Sequence, residues 1–474
     1  MVNYETIIGI EVHAQLNTKR KIFSPSLNDT TSKPNTNIHP IDLGMPGALP
    51  RFNEEVLQKA IMVANAFGMD ITRKMHWDRK NYFYHDNPKG YQITQQKTPI
   101  GRHGKIVLDS GKAIGVDFMH MEEDTAKSLH RDDCTLLDFN RCGVPLVEIV
   151  STPEMRSGAE AREYIEKLRE ILVYLGVSDG KLEEGSLRID VNVSVRPYGQ
   201  PHFNPKVEIK NLNSFSNVEM AIEVERKNQM LAYNTGAKVV QATKRFMENS
   251  KTVEIMRVKE GVVDYRFFPE PDLPYIEIDD AYINDVIAHS NKLPAEIKAE
   301  LKDFGFNDKD IVNLMSNMEM VTFFFKLTEA GLDPKQSLNY LLVNIKDYLN
   351  KSNHEFNQIA ITLDNFIEIE ELIASGKIST NHVKKIIPIL CEKPQSAKTL
   401  VAELGIEQIT DPQIIGQMVD KVLDANEQSI IDFHGGKDRA MGFLIGQIIK
   451  ESKGQANPSL VNSILIEKLN ERKC

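Results

Sequence analysis

The chain has 474 residues, 41% of them hydrophobic, and a formal net charge of -10. That length predicts several domains, and the acidic balance excludes a protein that coats nucleic acid by bulk attraction, which needs a basic surface. No apolar run approaches the roughly 20 residues of a membrane span. The opening Met1-Val2-Asn3-Tyr4-Glu5 has no basic-then-apolar leader, and Cys134, Cys142, Cys391 and Cys474 show no paired spacing, so a cytoplasmic protein without membrane contact or disulfides is expected.

From Thr6 to Leu16 the apolar Ile8, Ile10, Val12, Ala14 and Leu16 alternate with Glu11, His13 and Gln15. This is the period of a half-buried strand, and it puts Glu11 and His13 on one face. A helix is expected from Glu54 to Phe67, stopped by Gly68. The segment Asp78 to Tyr84, followed by Pro88-Lys89-Gly90-Tyr91-Gln92, mixes cations with aromatics. Two readings stand for it: a grip on a single-stranded acceptor end through stacking and charge, or a core strand with basic ends.

Ser157 and Glu160 form a capping-box pattern ahead of Ala161, Tyr164, Ile165, Leu168, Ile171, Leu172 and Leu175, which repeat at helical spacing up to Gly176. Leu187 to Val195 alternates again, with Arg188, Asp190, Asn192 and Ser194 on the polar side, and Val207 to Lys210 puts Glu208 beside Lys210. Such strands suit an antiparallel sheet that floors an open site. The last strand signal is Tyr275 to Ile278. Beyond Asn291 the texture becomes helical, as in Leu293 to Phe304 and Thr362 to Gly376, and a softer boundary falls between Leu404 and Pro412. The fold class expected is α+β: a mainly antiparallel-sheet domain over 1–290, a helical domain over 291–405 and a small helical tail over 406–474.

Acidic groups recur on the polar strand faces and at His120-Met121-Glu122-Glu123-Asp124. Gathered in space they would call for a cation, and oxygen-rich ligation with few nitrogens suits Mg²⁺ holding nucleotide phosphates. Otherwise they are separate surface charges on unrelated strands. The common nucleotide loops are absent, and Gly435-Gly436-Lys437 has the spacing of a turn rather than of a phosphate loop. His130, Cys134 and Cys142 lack a Cys-x-x-Cys pair and a fourth ligand, so they read as ordinary thiols and a histidine rather than a zinc site. His120, on an otherwise apolar strand, reads as a packed, hydrogen-bonded histidine ahead of a ligand; His13, beside Glu11, is the stronger ligand candidate.

Ile8-Gly9-Ile10-Glu11-Val12-His13, Arg79-Lys80-Asn81-Tyr82-Phe83-Tyr84, Pro88-Lys89-Gly90-Tyr91-Gln92, His120-Met121-Glu122-Glu123-Asp124, Glu183-Glu184-Gly185-Ser186-Leu187-Arg188 and Lys210-Asn211-Leu212-Asn213-Ser214-Phe215 resemble, in order and spacing, the B subunit of the aspartyl/glutamyl-tRNA amidotransferases. The resemblance extends through Met441 to Gln447 and Lys453 to Pro458, essentially the whole chain. It implies a cradle-shaped catalytic domain, a helical domain and a tRNA-binding tail. The implied reaction is ATP-dependent phosphorylation of the side-chain carboxylate of Glu-tRNA(Gln) or Asp-tRNA(Asn), then amidation by ammonia. Carried over by position, Glu11, His13, Glu123 and Glu208 look like the metal group, with Glu122 and Asp190 beside it. Glu11, Glu123, Asp190 and Lys210 are the expected catalytic residues. Arg188 and Lys210, from strand alternation, and Lys89 are the expected nucleotide contacts, with ATP and Mg²⁺ as cofactors.

This chain has no amidase signature of its own, so ammonia must come from a glutaminase partner, the A subunit in the family, while a small C subunit bridges the assembly. Between His434 and Cys474 seven lysines and arginines face four acids, an excess to which the resemblance gives a use on tRNA. The sequence departs from the family at His85, where proline is usual, and at Tyr340 to Ile345, which lacks the expected tryptophan and glycines. A noncatalytic tRNA-binding scaffold would lack the acid cluster, and a ligase for a free small carboxylate would not need the tail.

Overall fold

A computed structural model describes residues 3–258, 264–409, 411–435, 437, 439–452 and 455–472. Met1, Val2, Thr410, Gly436, Asp438, Lys453, Gly454, Lys473 and Cys474, which fall in segments named above, lie outside the described residues. The chain forms two compact units, Met1–Ile297 and Lys298–Cys474.

In the first unit the strands are β1 Tyr4–Gln15, β2 Asp70–Ile71, β3 Lys74–Met75, β4 Asp78–Asn81, β5 Tyr91–Thr94, β6 Gly101–Val107, β7 Ala113–Glu123, β8 Lys127–His130, β9 Thr135–Asp138, β10 Pro145–Ser151, β11 Leu187–Pro197, β12 Val207–Lys210, β13 Ala242–Met247, β14 Thr252–Val258, β15 Phe268–Pro269 and β16 Ile276–Glu277. Nine of them make one sheet in the order β14-β13-β12-β11-β1-β10-β7-β6-β2. All its pairs are antiparallel except β12 with β13.

Alternation decides which face is covered. Ile8, Ile10, Val12 and Ala14 of β1 and Leu187, Ile189, Val191 and Val193 of β11 are buried in one core with residues from α1 (Glu54–Ala66), α2 (Gly158–Tyr174) and α3 (Phe215–Asn234). Each aliphatic side chain buried there contributes about 1.5–3 kcal/mol. A one-residue slip of either strand would send this whole set to the opposite face. Asn53 caps α1, which ends before Gly68 at φ +64°, a left-handed turn suited to glycine. Ser157 caps α2 by accepting from the Glu160 N–H at 3.2 Å. The expected reciprocal box is only half formed, because the Glu160 carboxylate accepts from the Arg156 N–H at 2.8 Å.

A second sheet, β15-β4-β5, adjoins the end of β7. Gln92 Nε2 donates to the Glu123 carbonyl at 2.7 Å, and the Met121 N–H donates to Gln95 Oε1 at 3.1 Å. Arg79 ties β15 down: its guanidinium donates to Glu270 at 2.6 and 2.9 Å and stacks on Tyr91 and Phe268.

The second unit is helical among its described residues. A π-helical turn occupies Tyr340–Ile345, the segment that departs from the family. Helices Pro412–Asp424, Arg439–Glu451 and Pro458–Glu471 share a core of Ile415, Val419, Leu423, Leu444, Ile448, Val461, Leu465 and Leu469. Among the described residues, no helix is long and apolar enough to cross a membrane.

Candidate active site

Strand register builds a cluster on the sheet face away from the helices. Glu11 lies opposite Asp190, His13 lies between Arg188 and Glu148, and Glu148 lies opposite His120. His13 Nε2 is 3.7 Å from Glu11, 3.5 Å from Glu122 and 3.4 Å from Glu148. His120 Nε2 is 3.1 Å from Glu148 and 3.8 Å from Glu122. Two sets of donor atoms, Glu11 with His13 and Asp190, and His13 with Glu122 and Glu148, each lie within 4.8 Å of one another. Lys210 pairs with Asp190 and lies 3.3 Å from Glu208, whose other oxygen accepts from Thr243 at 2.8 Å.

Glu123 is placed differently. It follows Glu122 by one residue, so the pleat turns it to the other side of β7. There it pairs with Lys89 and accepts from the Ile93 N–H at 2.8 Å, both partners buried. Arg188 Nη2 donates to Asp124 at 2.7 Å. The structure thus brings Glu11, His13, Asp190, Glu208, Lys210 and Glu122 together and seats the Glu123–Lys89 pair apart from them.

The electrostatics favour a bound cation. Burial, and then the Glu148 charge, push the Glu11 carboxyl up to about 7. Burial opposes charge on His120, but Glu148 and Glu122 outweigh it and push that imidazole up to about 10. Burial is likewise outweighed at Glu148, which His120 and His13 hold well below the usual carboxylate range. Glu122 Oε2 is buried without a hydrogen bond, an orphaned acceptor that protein interiors seldom leave. Carboxylate oxygens with one histidine nitrogen fit a hard divalent cation.

Two residues further along β1 and β11 the same face opens into a pocket of about 270 Å³ lined by Gly9, Asn192, Ser194, Pro153, Phe203 and Lys206. Gly9 leaves its floor open: a Cβ there would meet only Pro153, at 3.9 Å. Near the end of β7, Phe83 and Tyr84 are exposed. The His85 ring lies tilted against Tyr84, centroids 4.2 Å apart, and bonds to Ser128 Oγ at 3.0 Å, which seats the loop where proline is usual against β8.

Sequence reading missed Glu148 and ranked His120 as a packed histidine ahead of a ligand. Glu148 is the single charge in the apolar run Pro145-Leu146-Val147-Glu148-Ile149-Val150, and a lone acid in such a run was the available signal. In the tail, local charge excess does not make a basic domain: residues 406–474 hold ten acids and eight lysines or arginines. Lys468 and Arg472 pair with Asp420, Lys421 with Glu451, and Lys437 with Asp432.

The family described as the GatB/GatE catalytic domain matches residues 6–284, and the GatB domain matches residues 322–469. The chain is 47% identical to the B subunit of the aspartyl/glutamyl-tRNA(Asn/Gln) amidotransferase of Oceanobacillus iheyensis, over 99% of this chain and 100% of that one. It is 46% identical to the protein of that name from Geobacillus thermodenitrificans and 44% identical to one from Listeria monocytogenes, with the same coverage.

Proposed function

The chain belongs to the B-subunit family of aspartyl/glutamyl-tRNA amidotransferases, and from that premise we propose that it activates the side-chain carboxylate of Glu-tRNA(Gln), Asp-tRNA(Asn) or both with ATP and passes it to ammonia. A carboxylate oxygen attacks the γ-phosphorus, the bond to the bridging oxygen breaks, and its electron pair leaves with ADP. Ammonia then adds to the acyl carbon, phosphate leaves and the nitrogen loses a proton. A bare carboxylate is a poor acyl donor and an acyl phosphate a good one.

The observation that carries this reading is the acid cluster and the pocket lying side by side on one open sheet face. Glu11, His13, Glu122, Glu148 and Asp190 would hold Mg²⁺, which offsets phosphoryl charge when bound. Glu208 stands beside this set through Lys210. Pro153 and Phe203 offer apolar surface for a nucleotide base, Lys206 in the pocket offers a cation for phosphates, and Lys210 stands beside Asp190. Glu123 and Lys89 support the floor from the other side, so we assign them to shaping the site. Phe83 and Tyr84 give exposed rings on which an unpaired acceptor end could stack.

The tail over 406–474, with its own core, is proposed as a tRNA-binding domain following a helical domain over 291–405. On helix Arg439–Glu451, Arg439 and Lys450 have no carboxylate within 4.0 Å among the described residues, and Gly442 and Gly446 leave open space beside the backbone. A glutaminase A subunit and a small C subunit complete the proposed assembly, in the cytoplasm. The test is conversion of labelled Glu-tRNA(Gln) and Asp-tRNA(Asn) with ATP, Mg²⁺ and ammonium, by the chain alone and with its partners. ATP-dependent amide formation supports the reading; tight tRNA binding without any amide, partners and glutamine present, would make the chain a scaffold.

A further inference from the structure

Three cations border the acid face, and two of them are already engaged. Lys210 pairs with Asp190 and Arg188 with Asp124. Lys80 is the exception: among the described residues, no carboxylate lies within 4.0 Å of its ammonium. Its ring contact is Tyr265, whose centroid lies 5.2 Å away.

Its place is set by the small sheet. Lys80 on β4 lies opposite Gln92 on β5. Tyr82, two residues on and so on the same side, donates to Gln92 Oε1 at 2.6 Å, and Gln92 Nε2 fastens this side to the Glu123 carbonyl at the end of β7. The small sheet therefore presents Lys80 next to the cluster built on the large one. Burial disfavours its charge, but Glu122, then Glu148 and Glu11, outweigh that and keep the ammonium protonated. A partly buried ammonium that faces several carboxylates and pairs with none has a hydrogen-bonding capacity that the folded chain leaves unused.

Resting on the phosphoryl-transfer reading above, we propose that Lys80 is a further catalytic residue, whose ammonium bonds the phosphoryl group as it passes from ATP to the substrate carboxylate. It donates hydrogen bonds to nonbridging oxygens and stays protonated throughout, so the bonds made and broken are those already given. The competing account makes Lys80 a counter-charge that only offsets the acids. The two differ in sign: a counter-charge competes with a metal ion, so its removal would tighten cation binding and leave discrimination between nucleotides unchanged.

The test uses the full chain in Mg²⁺, with calorimetric binding of the non-hydrolysable triphosphate AMP-PNP and of ADP, and Mn²⁺ binding followed by electron paramagnetic resonance. Wild-type protein that binds neither nucleotide would refute the ATP reading and Lys80's role with it. Given binding, Lys80→Met should weaken AMP-PNP by about tenfold or more while ADP stays within about twofold, and Lys80→Arg should recover part of the loss. The kcat for tRNA-dependent ATP cleavage by Lys80→Met should fall by about 10²-fold. An unchanged ratio of AMP-PNP to ADP affinity, or tighter Mn²⁺ binding with that ratio unchanged, would overturn the proposal. If Lys80→Met does not fold, Lys80→Gln, which keeps a stem against Tyr265, carries the same comparison.

Discussion

Glu122 and Glu123 are neighbours in sequence whose carboxylates lie on opposite sides of the sheet. Both are buried, but Glu122 sits 3.5 Å from His13 Nε2 in the acid cluster, whereas Glu123 packs against Lys89 and the Ile93 N–H. Replacing the two should therefore do different things. Glu122→Gln is expected to lose Mn²⁺ affinity with little loss of stability. Glu123→Ala strands a buried ammonium, a loss of about 3–5 kcal/mol, and Lys89→Met/Glu123→Leu should recover much of it by removing both charges. Trp77 is the chain's one tryptophan and lies buried in the first unit, so its fluorescence in urea reports that unit alone. Equal stability of the two single variants would contradict this division.

Glu148 gives a second prediction. Its Oε2 is 3.1 Å from His120 and 3.4 Å from His13, so it anchors both imidazoles. Glu148→Gln and Glu11→Ala should each lower Mn²⁺ affinity by at least about tenfold and tRNA-dependent ATP hydrolysis by about 10²-fold or more, with tRNA affinity within a few-fold. Hydrolysis at the wild-type rate in both would remove the cluster from the chemistry.

What the sequence could tell about this site follows from strand exposure. β1, β11 and β12 carry helices on one face and none on the other, so their polarity alternates and Glu11, His13, Asp190 and Glu208 were legible. The segment β10 reads as a continuous apolar run, and its residues are nearly all buried; with no alternation along it, nothing in the pattern assigns Glu148 to a face. Glu122 and Glu123 show the limit of motif carry-over. The pleat separates them, yet nothing in Met121-Glu122-Glu123 says which one faces inward; that depends on the register of β7 with β10, fixed by distant residues. Lys80 sits on a four-residue strand whose other neighbour, β15, lies nearly two hundred residues further along the chain, beyond any local signal.

Cysteine chemistry offers a check on the packing beneath the site. Cys142 donates its S–H to the Asp42 carbonyl at 3.2 Å, and burial pushes the thiol up to about 12. The thiolate is the reactive form, so iodoacetamide should label Cys134, which is exposed, while Cys142 stays unlabelled in the native protein at pH 8. The folded state holds the proton more tightly than the unfolded state, so the neutral thiol's contribution to stability is whole below about pH 9 and declines as pH rises towards 12. Mass spectrometry of native and urea-unfolded samples reads this directly. Rapid native labelling of Cys142 at pH 8 would mean that the floor around Asp42 opens.

The tail tests whether tRNA binding can be separated from the chemistry. Helix Ala397–Leu404 closes at Gly405, at φ +60°, and the tail that follows has its own apolar core, so a chain ending at Leu404 loses a folded module rather than part of a shared core. Its net charge is not positive, so attraction must be local, and Arg439 and Lys450 on helix Arg439–Glu451 are the cations left without carboxylate partners among the described residues. Truncation should weaken tRNA binding by about tenfold or more and leave kcat at saturating tRNA within about threefold. Arg439→Gln/Lys450→Gln should act more mildly and lower the slope of log affinity against log salt by about two, one for each phosphate no longer neutralised. A truncated chain with unchanged tRNA affinity would move recognition to the first unit; a double variant that binds more weakly at an unchanged salt slope would show that those two cations act on the fold of the tail and not on phosphate.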